Sequence, residues 1–187
     1  MMDGEPSPIR DIVYQKLERL TEKKIQEGFL QGDGPRIIDE IVSDCRDGVL
    51  GTPGEDEEKI GTMVTVLMHY LCSSLLIPTQ RKATLDDVYI DIVIPDTKTL
   101  KTSWNSSIVL CILTSTEKTY VEQRISDARR IQPNQENIWL VSPKPVDSEY
   151  KTFVVGSEEN PFSQIIARIN EFLDKNRSVK FRIFKAV

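Results

Sequence analysis

Hydrophobic positions along this chain change their period near its middle, from helical spacing to short continuous runs. Ser7-Pro8 can open a helix, and Ile9, Ile12, Val13, Leu17 and Leu20 then predict one helix running to about Phe29. Gly32-Asp33-Gly34-Pro35 breaks the chain, and a second helix follows with Ile37, Ile38, Ile41, Val42 and Cys45 on one face. Gly48 to Gly54 reads as a loop. Glu55 to Glu58 places negative charge where the next helix begins, and Ile60, Met63, Val64, Leu67, Leu71 and Leu75 form its stripe. From Leu75 the runs shorten and become β-branched. Leu75–Lys82, Val88–Ile94 and Ile108–Leu113 are three expected strands, with the polar link Asp96–Ser107 joining the last two as an antiparallel hairpin. Thr116 caps a helix to about Ile131, and Ile138–Val141 follows as a strand, which predicts a right-handed parallel crossover. Lys151–Val155 is a short strand, Asn160-Pro161 opens a helix through Leu173, and Val179–Phe184 is an expected closing strand.

This order predicts an α/β fold, a mixed β-sheet sandwiched by helices, with an N-terminal helical layer. The expected division is an N-terminal helical extension over 1–55 and an α/β core over 56–187, packed as one unit. Ile108–Leu113 is apolar throughout and should be a central strand covered on both faces. Val88–Ile94 carries one carboxylate, Asp91, in its middle, and a carboxylate there demands a partner.

Composition narrows the function only a little. A net charge of −5 gives no global case for nucleic-acid binding, although a local basic patch remains open. Three widely spaced cysteines, Cys45, Cys72 and Cys111, suit buried reduced thiols rather than zinc or disulfides. The opening MMDGEPSP lacks a basic region followed by an apolar run, and Met63–Pro78 is short and polar-studded for a membrane span. A cytoplasmic protein without membrane association is therefore expected. There is no Gly-rich phosphate loop and no nucleophile elbow, and the single histidine, His69, sits at helical spacing among Met and Leu.

What remains is an acidic constellation: Asp86, Asp87, Asp91 and Asp96, with Lys98 close behind. Together with the order of elements over roughly 56–141, it resembles the PD-(D/E)XK nuclease superfamily, the restriction-endonuclease-like fold. The resemblance implies an acid on the second strand, an acid-x-Lys on the third, and Mg²⁺ held at a phosphodiester while the lysine serves the attacking water. Asp91 matches the first position. The third strand is apolar at Leu110 and Cys111, where the acid-x-Lys belongs. Substitutes are Asp96 with Lys98, for which Asp86 or Asp87 would be the first acid, or Glu117 with Lys118 at the start of the crossover helix. The catalytic candidates are thus Asp91, Asp96, Lys98, Glu117 and Lys118, and the metal candidates Asp91 and Asp96.

The alternative for Asp91 is an ion pair with Arg81 or Lys82 on the neighbouring strand. Lys180, Arg182 and Lys185 would give the closing strand a basic face, which either blunts a sheet edge or, with Arg81 and Lys82, contacts nucleic acid. Ser115-Thr116-Glu117 is a weak anion-site candidate at the end of the central strand. The reading that follows is a degenerate, inactive nuclease-like domain acting as an interaction module for protein or nucleic acid, without a cofactor. A Mg²⁺-dependent nuclease on DNA or RNA is the alternative, and a structural subunit of a helical dimer or complex is the third. The stripe of the first helix makes a homodimer an expectation.

Overall fold

The computed structural model describes residues 7–183, with side chains through residue 176. Its centre is a five-stranded sheet in the order β1-β2-β3-β4-β5, formed by Gln80–Leu85, Val88–Ile94, Ile108–Ile112, Ile138–Ser142 and Lys151–Val154. The β1–β2 and β2–β3 pairs are antiparallel, while β3–β4 and β4–β5 are parallel. The sheet is mixed, as the sequence predicts.

All five residues of β3 are buried. Ile108, Leu110 and Ile112 face one layer of helices, and Val109 and Cys111 face the other. The first layer contains α1 (Pro8–Leu20), α2 (Glu22–Leu30), α3 (Gly34–Leu50), α4 (Asp56–Ser74) and α7 (Ile165–Ile183). Val13 of α1 and Ile38 of α3 belong to the same hydrophobic cluster as Leu110 of the sheet. The opposite layer holds α5 (Thr97–Thr102) and α6 (Lys118–Ile131), through Leu100, Ala128 and Ile131. Gly61 lets α4 press onto the sheet: a Cβ there would lie 2.8 Å from the Leu113 carbonyl oxygen. Lys59, also on α4, is buried and donates to the carbonyls of Leu50 and Thr52 at 2.8 and 3.1 Å, closing the end of α3. Cys45, Cys72 and Cys111 are all free and buried.

Several expectations need correction: α3 runs through Leu50, so the loop expected from Gly48 starts later, and the N-cap of α6 is Glu117, the Thr116 hydroxyl donating instead to Glu57. The first helix is two, α1 and α2, separated at Thr21. The first strand starts at Gln80, because α4 runs on to Ser74 and its end closes when the Ile77 N–H donates to the Cys72 carbonyl at 2.9 Å. The Asp96–Ser107 link is not a plain loop, since α5 and a 3-10 turn at Trp104–Ser106 fold within it. The closing strand is instead helix: α7 continues through Ile183, and Phe184 lies outside the described residues. Phe172, Asn176, Val179 and Ile183 are spaced for a helix as well as any alternation, and neither Gly nor Pro stops it.

The α4 cap leaves Leu76 in the left-handed region with φ 54°, 86% exposed, where glycine is the usual occupant. Leu76→Gly is therefore expected to stabilise the protein by about 0.5–1 kcal/mol, since it relieves the Cβ clash and loses almost no burial. Urea unfolding should show a higher midpoint at unchanged slope; a lower midpoint would show that Leu76 makes a contact outside this conformation.

Candidate functional site

The alternation of β2 reverses phase at Asp91. Val88 and Ile90 face the α6 side, whereas Ile92 and Ile94 face the α4 side. Opposite Asp91 on β1, Lys82 has φ 46°, and the two are skipped in an otherwise continuous register. The β2–β3 ladder also stops here, its last pair being Ile92 with Leu110. Beyond it the strands part, and the Asp91 carboxylate fills the gap by accepting the Ile112 N–H at 2.8 Å. The same oxygen, Oδ2, accepts from Nη2 of Arg124 on α6. Both side chains are largely covered, Arg124 to 15% and Asp91 to 17% exposure. The guanidinium carbon lies 6.0 Å from the centre of the half-exposed Tyr89 ring. Burial pushes the Asp91 carboxyl above the usual aspartate value, against the opposing pull of Arg124 and the Ile112 N–H.

A second carboxylate stands at the end of the same strand. Glu57, in the first turn of α4, accepts the Thr116 N–H at 2.5 Å and the Thr116 hydroxyl at 2.8 Å. Lys144, after β4, donates to it at 3.0 Å. Burial would raise the Glu57 carboxyl, but the hydrogen bonds from Lys144 and Thr116 outweigh it and hold the group below the ordinary glutamate range. The Thr114 hydroxyl lies 3.0 Å from the Tyr120 hydroxyl. The exit of β3 is thus bracketed by Asp91 and Glu57, each neutralised by a cation of the chain itself.

The sequence candidates are spread over several places. Asp96 caps α5, accepting the Thr99 N–H at 2.7 Å, and Lys98 is exposed on that helix. They lie at the far end of the sheet from the Asp91 carboxylate, because Ile94 pairs with Ile108 whereas Asp91 reaches Ile112. Asp86 and Asp87 form the tight β1–β2 turn, both with positive φ, and Asp86 is 3.8 Å from Lys101. Glu117 is exposed and accepts from the Thr119 hydroxyl at 2.9 Å, while Lys118 turns outward toward Glu122 at 3.8 Å. Among the described residues, no group of three His, Cys, Asp or Glu side chains could hold a metal ion. The donors around Asp91 do not suit Mg²⁺: one carboxylate is present, and a guanidinium already covers it.

The partner of Asp91 is neither Arg81 nor Lys82, which are exposed on β1, but Arg124. The sequence does hold a signal for it: Arg124 falls on the inward stripe of α6 between Val121 and Ala128. Glu57 gave no such signal, since its partner Thr116 is 59 residues away. The Thr116 N–H considered for anion binding is taken by this carboxylate, and the Ser115 hydroxyl accepts the Glu117 N–H at 3.1 Å. His69 is half-buried on α4. Lys180 and Arg182 fall on α7, and Lys185 lies outside the described residues. No described helix is long and apolar enough to cross a membrane.

No family model and no curated protein matches the chain. Solved structures do. A complex of the restriction endonuclease PspGI with substrate DNA aligns over 90% of this chain and 94% of the other, with a TM-score of 0.55 at 13% identity. Metal-depleted Ecl18kI in complex with uncleaved DNA aligns over 91% and 80%, with a TM-score of 0.58 at 13% identity. The chain has a restriction-endonuclease-like fold.

Proposed function

We propose that this protein is a DNA-binding domain built on a nuclease fold that does not cleave its ligand. One observation carries the reading: the second-strand acid, Asp91, is committed to Arg124 and to the Ile112 N–H. A hydrolytic centre of the kind the fold suggests needs at least two carboxylates converging on a divalent ion, with an amine near the attacking water. Here the facing strand offers Leu110, Cys111 and Ile112, and Glu57 is spent on Thr116 and Lys144. Arg124 puts a fixed positive charge against Asp91, where a cation would otherwise sit. That charge repels a metal and cannot ionise a water molecule.

Duplex DNA is the favoured ligand because PspGI and Ecl18kI were solved as DNA complexes. The chain is acidic overall, so binding must come from local cations. Arg81 and Lys82 are exposed side by side on the edge strand β1.

Fluorescence anisotropy with labelled duplexes at low salt, run beside cleavage of plasmid and oligonucleotides with Mg²⁺ or Mn²⁺, tests the reading. Binding should occur without cleavage and weaken as salt rises, and each of Arg81→Ala and Lys82→Ala should reduce the log–log salt slope by about one. Cleavage that disappears in Asp91→Asn would restore the nuclease alternative. Absence of binding to any duplex at low salt would remove DNA as the ligand.

The Asp91–Arg124 pair also gives a stability prediction. Arg124→Leu leaves a covered carboxylate without its cation and should cost about 2–4 kcal/mol at neutral pH. Without Arg124 the folded-state pKa of Asp91 stays above its unfolded value near ~3.9, so the folded form takes up a proton first. The deficit should therefore shrink as pH falls through that folded pKa, and Asp91→Asn in the same background should recover part of it. Urea unfolding at neutral and mildly acidic pH reads both; a deficit that is the same at each pH would show that Arg124 acts by packing alone.

A further inference from the structure

Ile9, Val13, Leu17, Thr21, Ile25 and Phe29 stand at every fourth position. In one straight helix they would form a single ridge of side chains. From Glu18 to Lys24 there is neither Gly nor Pro, and every residue except Thr21 is a strong helix former. Nothing local asks for a break there, yet the chain turns at Thr21, with φ 45° and ψ 139°. Left-handed φ is costly for a β-branched residue, and the Thr21 side chain makes no capping hydrogen bond and is exposed. The cost is carried by tertiary packing. Val13 and Leu17 are buried against the cluster that contains Ile41 and Leu67 of α3 and α4, and Lys16 pairs with Asp44 at 3.5 Å.

Those contacts do not require that α1 belong to the same chain. We infer that α1 is an exchangeable arm whose partner is a second copy of this protein. In the exchanged dimer residues 8–30 form one continuous helix, about 35 Å long at 1.5 Å per residue. Each α1 then fills the α3–α4 groove of the other copy. Every contact of α1 is kept and the strained turn at Thr21 is replaced by helix, so the balance is set by concentration and by this one residue. A short strained connection between packed elements is the arrangement that favours such exchange. The inference is independent of DNA binding and of the Asp91 site.

Substitutions at Thr21 should act in opposite directions. Thr21→Ala favours helix and keeps the penalty at positive φ, so it should tighten dimerisation by about tenfold or more; Thr21→Gly relaxes the turn and disfavours helix, and should weaken it by a similar factor. Light scattering after size exclusion over a wide concentration range, with circular dichroism to confirm folding, reads both. A paired reporter identifies the arm: a Cβ at Gly48 of α3 would lie 3.4 Å from Ile12 Cγ2, so Ile12→Cys with Gly48→Cys can cross-link α1 to its groove. Oxidised monomer should carry the bond within the chain, and oxidised dimer between chains. Thr21→Ala remaining monomeric at the highest concentration, or Thr21→Gly dimerising more tightly than Thr21→Ala, would overturn the exchange. A dimer cross-linked only within chains would overturn it too, since it would form through another surface.

Discussion

A strand buried on both faces can end only where something else takes over its backbone hydrogen bonds. β3 meets this constraint at its exit with two side-chain carboxylates, Asp91 on the Ile112 N–H and Glu57 on the Thr116 N–H. Leaving either donor unpaired near the core would cost on the order of 1–3 kcal/mol. The arrangement ties three elements to one point. β2 supplies Asp91, α4 supplies Glu57, and α6, which begins just past this exit, supplies the arginine that makes Asp91 tolerable. The start of α4 and the middle of α6 are therefore held in place by electrostatics as well as by the apolar layers.

Much of the fold was legible because β2, β3 and β4 are apolar runs with little competing helical character. The errors fall where two periods fit the same residues. Leu75 to Ile77 looks like the start of a strand, but Leu71, Leu75 and the cap bond to Cys72 belong to a helix end. Val179 to Ile183 fits alternation and helical spacing alike, and the helix already running through Leu173 decides. At Thr21 local preference was read correctly as helix, and packing overrode it.

The site was legible only in half. An acid inside a β-branched strand is conspicuous, so Asp91 stood out, and the expectation of a basic partner was sound in kind. The partner is 33 residues away on a crossover helix, and only the fold brings it there. Distance in the chain hid Glu57 more completely, because acids in a first helical turn have an ordinary explanation in the helix dipole. Asp96 and Lys98 had the right spacing on paper, but the direction of the hairpin carries them to the wrong end of β3.

Asp91 has a structural task here, as acceptor for the Ile112 N–H and counter-ion of Arg124. Asparagine at 91 would still accept the Ile112 N–H, but it would leave Arg124 charged and largely covered with no counter-ion. Leucine at 124 would leave the carboxylate in the same position. Each residue therefore makes the other necessary, and the pair can persist in a sheet of this kind with no metal to hold. An acid at the second-strand position of such a fold is thus weak evidence for catalysis until its neighbours are known. What separates the two roles is the sign of the nearest charge: another carboxylate leaves room for a divalent ion, and a guanidinium fills that room.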